Sequence, residues 1–262
     1  MLKLDRRLLV ATVASLILLA PSSPSSAGDT FAGEWTLGVA QMPDYEGSED
    51  SQIMPMVGFA LDLGGYAIEL QGTSLRVDLL ASPVLDAGAV FNYRFGRDDV
   101  ENASVAALPD IDATVEVGMF SAATLPLATG AVKVSGEVLV DAGGVHDGVF
   151  GTFTLGYGSV LSERLRVGVA ASVSAASGGY AQTYFGVAPD AATRSGLDAY
   201  SPDRGFKDVG LDFSVTYDLT PQIAMTGLVS YRRLVGEFAD SPIVQAGSPD
   251  QLTFGLSLTR SF

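Results

Sequence analysis

Alternation of apolar and polar positions recurs along the chain. In QLTFGLSLTRSF, residues 251–262, the even positions carry Leu252, Phe254, Leu256 and Leu258, then Arg260 and Phe262, while the odd positions carry Gln251, Thr253, Gly255, Ser257, Thr259 and Ser261. Successive side chains on a strand point to opposite sheet faces, so the segment predicts a strand with one apolar face and one small, polar face. VLDAGAVFNYRF (84–95), RLRVGVAASV (164–173) and KDVGLDFSVTY (207–217) repeat the pattern. Each spans about ten residues, the length of a tilted strand crossing a hydrocarbon layer and longer than the usual strand of a soluble domain.

A soluble sandwich produces the same alternation, and the polar face separates the two readings. A sandwich leaves that face solvated, whereas the polar face of a narrow barrel lines a lumen, where charges of opposite sign pair and small residues leave room. Here glycine and serine are mixed with Arg76, Asp78, Asp86, Arg94, Glu116, Lys133, Glu137, Arg164, Arg166, Asp212 and Arg232 on the expected inner faces. Tyr93, Phe95, Tyr157, Tyr217, Tyr231 and Phe262 fall near strand ends, as an interfacial aromatic girdle requires. The pattern predicts an all-β fold, a transmembrane antiparallel up-and-down β-barrel.

Twelve strands are expected, near 33–41, 53–60, 66–70, 73–80, 84–95, 112–121, 131–140, 149–158, 163–174, 207–217, 222–233 and 251–262; ten or fourteen remain open because the third and fourth are stubby. Short connections at 81–84, 159–163 and 218–222 fall at one end. Longer ones at 44–50, 96–111, 141–148 and 236–250 fall at the other, the asymmetry of periplasmic turns and external loops. Counting YAQTYFGV (180–187) as a strand would break that arrangement, so 175–206 is expected to form one long loop. A closed barrel has no free edge, so its last strand must pair with its first, and the terminal Phe262 fits the mark by which the outer-membrane assembly machinery recognises its clients.

The N-terminus bounds the compartment. Lys3, Arg6 and Arg7 precede an apolar run at 8–20 and the small-residue stretch PSSPSSA, with Ser25 and Ala27 at the positions a signal peptidase reads. Residues 1–27 are therefore expected to be a signal peptide and 28–262 the barrel. The apolar run is about 13 residues, short of the roughly 20 a helical span needs. Removing residues 1–27 takes away three basic residues and one acid, which moves the net charge from −15 to −17. With no basic cluster, nucleic acid is not an expected partner. The chain has no cysteine, which excludes disulfides and thiolate metal sites.

Candidate chemistry is sparse. The single histidine, His146, lies in DAGGVHDG between Asp141 and Asp147. A rim hydrolase would need a positioned nucleophile beside it; none stands at a fixed spacing, and a solvated loop histidine is expected. Asp44, Glu46, Glu49 and Asp50 in one loop and Asp98, Asp99 and Glu101 in another raise the question of a divalent cation. Their spacing matches no calcium loop, and solubility accounts for such clusters. No catalytic residue, cofactor-binding residue or metal ligand is expected.

Seven stretches carry a resemblance: GVAQMPDYEGSEDS (38–51), YRFGRDD (93–99), DIDATVEVG (110–118), YFGV (184–187), SGLDAY (195–200), GFKDVGLDFSVTYDLT (205–220) and DSPIVQAGSPDQ (240–251). In this order they resemble the MltA-interacting protein family, also called MipA/OmpV, from about Gly38 to Phe262. The resemblance implies a non-enzymatic barrel of the cell outer membrane, in contact with its lipid. It further implies a scaffold linking a lytic murein transglycosylase to a murein synthase, or a surface adhesin; a narrow pore for small solutes is the alternative that the barrel pattern itself leaves open. Shared positions such as Asp44, Tyr45, Gly47, Arg94, Asp110, Asp112, Lys207 and Asp208 are expected to be lumen charge pairs or loop anchors.

Overall fold

The computed structural model describes residues 32–64, 66–80 and 82–262; the expected signal peptide at 1–27 lies outside them. The strands are β1 (Ala32–Pro43), β2 (Ser51–Asp62), β3 (Ala67–Gln71), β4 (Ser74–Asp78), β5 (Leu85–Arg94), β6 (Thr114–Leu127), β7 (Gly130–Asp141), β8 (Val149–Ser162), β9 (Leu165–Ala176), β10 (Gly205–Thr220), β11 (Ile223–Leu234) and β12 (Asp250–Ser261). Five short helices lie between them: α1 (Ala103–Ala106), α2 (Gly178–Phe185), α3 (Pro189–Ser195), α4 (Gly236–Ala239) and α5 (Pro242–Gln245). Each strand pairs antiparallel with its sequence neighbours, and β12 pairs with β1 to close the barrel.

Backbone bonding at the seam continues past β12 to Phe262. The Phe262 N–H donates to the Gly33 carbonyl at 2.9 Å, and the Gly33 N–H returns a bond to the Phe262 carbonyl at 3.2 Å. In hydrocarbon no water replaces a missing backbone partner, so closure to the last residue satisfies groups that would otherwise be costly. Leu252, Phe254, Leu256 and Leu258 all face outward, as their alternation requires, beside Leu37 and Val39 of β1. The inner face is small where charges must fit: a Cβ on Gly210 would meet the Ser172 hydroxyl and the Arg232 guanidinium.

Twelve strands form, and their ends move. β8, β10 and β6 run on to Ser162, Thr220 and Leu127, because ladder bonding continues after the sequence alternation fades; irregularities at Val160/Ser162 and Asp218/Thr220 absorb the register change. Arg164 therefore sits exposed in the turn between β8 and β9 rather than on the inner face. Residues 180–187 contribute no strand: α2 occupies most of them.

A membrane barrel sends its large apolar residues outward to lipid, so its packed core must lie elsewhere. Here it lies in the loops across the external mouth. One cluster joins Tyr180, Ala181, Tyr184 and Phe185 of α2 to Phe238 and Val244; a second joins Tyr45, Val105, Leu108, Val187 and Ile243. The i, i+4 pairs Tyr180/Tyr184 and Ala181/Phe185 give α2 one buried face. Ser241 caps α5 by accepting the Ile243 N–H at 3.3 Å, with Pro242 at the first helical position, and its hydroxyl donates to the Phe185 carbonyl at 2.7 Å.

Replacing the outward Leu256 with Arg places a charge on the lipid face near mid-strand, where it costs about 2–4 kcal/mol. We expect a lower urea midpoint for refolded protein in bilayers, with native cap contacts retained.

Candidate functional site: the lumen and its external cap

Two layers of charge fill the interior. In the lumen proper, Arg76 of β4 reaches across to Glu137 of β7, with Nη2 at 2.6 Å and Nε at 3.1 Å from the same Oε2. Lys133 Nζ lies 2.9 Å from Asp86, and Arg166 Nη2 lies 2.7 Å from Asp218. Arg232 donates to Ser172 at 2.7 Å and stands 3.4 Å from Asp212, which also accepts the Ser230 hydroxyl at 2.6 Å. Charges withdrawn from bulk water are costly unless paired and hydrogen-bonded, which accounts for these matched sets.

The second layer is one continuous chain of contacts under the cap. Glu116, fully buried, accepts from Asn92 Nδ2 at 2.7 Å, Arg94 Nε at 2.8 Å and His146 Nε2 at 3.1 Å. Arg94 Nη1 donates to the Tyr180 hydroxyl at 3.0 Å, and that hydroxyl donates to Glu46 at 2.6 Å. Glu46 is bonded to Lys207, which lies 3.0 Å from Asp208. The Arg94 guanidinium sits over the rings of Tyr180 and Phe150 at 4.9 and 5.3 Å, which adds a cation–π attraction in a desolvated place. Burial pushes the Tyr180 phenol well above its usual value, so it remains a proton donor. Burial also pushes the Glu46 carboxyl up, but Lys207 and Arg94 outweigh it and hold the group below the ordinary carboxylate value.

The loop histidine is a correction. His146 is 3% exposed rather than solvated. Its Nδ1 accepts the Gly148 N–H at 3.1 Å, which assigns the proton to Nε2 and makes Glu116 the acceptor. The loop is shaped by Asp141, whose carboxylate accepts from the N–H groups of Gly143, Gly144, His146 and Asp147. Only the glycine-rich loop and a flanking aspartate hinted at this; Glu116, thirty residues upstream, carried no local signal.

Of the other singled-out positions, Arg94, Lys207 and Asp208 join the cap network. Tyr45 is buried in the loop core. Gly47 has φ 101°, the left-handed region; its carbonyl accepts the Ser248 N–H at 2.8 Å from the loop before β12, and its N–H donates to Gln251 Oε1 of β12 at 3.1 Å. Asp44 accepts the Glu101 N–H at 3.2 Å and so ties the two acidic loops together. Asp110 and Asp112 are exposed on the rim and enter no ion pair among the described residues, against the expectation of lumen pairs or anchors. Among the described residues no three acidic or histidine side chains converge to hold a metal.

A closed, charge-filled outer-membrane barrel with this loop order agrees with the family comparison: the model for the MltA-interacting protein MipA matches residues 36–262. The chain belongs to the MipA family. Among curated proteins none matches it. Similar solved structures include an outer-membrane channel from Pseudomonas putida F1, with a TM-score of 0.47 and 10% identity over 93% of this chain and 100% of that one. The NanC porin has a TM-score of 0.45 and 8% identity over 86% and 98%. OmpT of Vibrio cholerae has a TM-score of 0.40 and 7% identity over 89% and 97%. This MipA-family barrel resides in the outer membrane.

Two outcomes follow for the cap. Tyr180→Phe removes the hydroxyl bridging Arg94 and Glu46 and leaves both short of a partner, at a cost of about 1–3 kcal/mol; faster hydrogen exchange across 178–185 with strand protection unchanged is the expected reading. Because the Glu46 pKa is depressed on folding, its contribution is present above the unfolded value and is lost as pH falls through the folded one. Cap protection should therefore hold at neutral pH and collapse below the ordinary carboxylate range, which exchange measured against pH will show.

Proposed function

We propose that the protein is a non-enzymatic scaffold of the outer membrane, which holds murein-processing enzymes, a lytic transglycosylase and a murein synthase, at its periplasmic side. The family's description, MltA-interacting, supports a partner of the first kind. The observation that carries the reading is the occupation of the interior cations. Arg76, Arg94, Lys133, Arg166, Lys207 and Arg232 each have a carboxylate partner, and Arg97 donates to the Tyr184 carbonyl, so none of these cations stands free to draw an anionic solute inward. His146, the sole histidine, has both ring nitrogens engaged and its side chain fully buried, which leaves no accessible imidazole base.

The periplasmic rim offers the contact surface. Leu63 and Tyr66 in the β2–β3 connection and Leu79, Leu80 and Val84 in the β4–β5 connection are exposed, on the two longest of the short turns. Exposed apolar groups of this kind mark partner surfaces when they cluster.

A photo-crosslinking residue at Leu80 in growing cells should capture a murein transglycosylase. Capture of none from a correctly folded, heat-modifiable barrel would sink the scaffold reading. Planar-bilayer recordings test the alternative: we expect no steady single-channel steps, whereas reproducible conductance would make the lumen a small-solute pore.

A further inference from the structure

The barrel wall is interrupted on its external half. β1 pairs with β2 along all of it, from Pro43↔Ser51 to Ala32↔Asp62. On its other side β2 pairs with β3 only from Gly58↔Gln71 to Asp62↔Ala67, because the chain turns back at Gly72 and Thr73. The turn reaches no higher: Gly72 N–H donates to the Val57 carbonyl and Tyr93 N–H to the Thr73 carbonyl, both at 3.0 Å. Above it the edge at 51–57, roughly 20 Å of strand, has no strand partner on this side among the described residues. Because the Val57 carbonyl points to this side, the backbone groups of Pro55 and Ile53 do too. Pro55 has no N–H to leave unsatisfied, which is where a proline is tolerated in a sheet.

The cavity reaches this gap. Its volume is about 1380 Å³, and its lining includes Ile53 and Tyr93. Both belong to the outward set: Ile53 shares the lipid face with Val57 and Val39, and Tyr93 is paired with the exposed Val115. Outward residues line an interior cavity where the wall between them is missing. One jamb is aromatic, with Tyr93 and Phe95 in edge-to-face contact at 5.3 Å. The other is apolar, with Ile53 75% exposed. Asp98 and Asp99, shortly after β5, and Asp112, just before β6, line the same cavity; they are exposed and in no ion pair among the described residues.

We propose that this gap is a lateral portal through which an alkylammonium amphiphile enters the cavity from the outer leaflet. Apolar jambs accept the alkyl chain, and rings beside carboxylates are the surroundings that attract a desolvating ammonium head. The rim's negative charge disfavours an anionic head of the same length. The portal is independent of the scaffold reading, since it uses the external half of the wall and the scaffold uses the periplasmic rim.

The absence of cysteine makes the test direct. A single Ile53→Cys variant carries a fluorophore at the portal, and Phe153→Cys, lipid-facing on β8 across the barrel, carries the same label as control. Both are placed in phosphatidylcholine nanodiscs and titrated with a bromododecyl-trimethylammonium quencher, then with the same chain ending in sulfonate. We expect saturable quenching at position 53 with the cation alone, and only linear, partition-driven quenching at 153. Changing Asp98, Asp99 and Asp112 together to Asn should weaken the saturable phase roughly tenfold; Asn also tolerates the left-handed φ of 51° at position 99. Linear quenching at 53, or saturation equally by the sulfonate, overturns the proposal. So does ready formation of a disulfide-linked dimer by the unlabelled Ile53→Cys variant, which would place a second copy on this edge.

Discussion

Everything in this molecule depends on one constraint: a sheet in hydrocarbon must satisfy its own backbone. Period-two alternation decides which side chains meet lipid, but the reciprocal bonds between Gly33 and Phe262 at the seam turn twelve strands into a body without edges. Where closure is complete, the wall tolerates glycine and serine inside and leucine and phenylalanine outside. Where it fails, beside 51–57, the chain places a proline and opens the interior to the side.

The interior is governed by a second rule of the same kind. With its apolar residues committed to the lipid face, the barrel fills its lumen with ions, and ions withdrawn from bulk water demand partners. Arg76 and Glu137 tie together strands three apart in the wall, and the chain from Glu116 through Arg94, Tyr180 and Glu46 to Lys207 fastens the loops to it. The hydrophobic packing that would form the heart of a soluble protein is displaced to the external mouth.

The strands of the barrel were legible because each writes its two faces locally. The pairing of β12 with β1 followed from closure, and the rejection of 180–187 as a strand followed from loop parity. Strand ends were not legible, since ladder bonds at 159–162 and 218–220 persist where alternation has faded. Nor was the burial of His146, whose partner Glu116 belongs to another strand. The stubby β3 and β4 were visible in the sequence, but their effect on the wall was not: a gap is a property of β2 and β5 failing to meet, and neither carries a local sign of it. The inner charges were readable as a set, while their pairing, and the exclusion of Arg164 from it, required the closed geometry.

The cap network joins β5, β6, the loop before β8, α2, the loop after β1 and β10 through single side chains in series. Such wiring restricts how the cell-facing surface can diversify. A change at Glu46, Tyr180 or Arg94 leaves a charge unpaired on a different element, so the buried positions of this network must vary together or stay as they are. The exposed side of α3, at Thr193 and Arg194, carries no such obligation. Phage, antibodies and neighbouring cells would therefore meet a surface that drifts freely along that helix and hardly at all above the buried network.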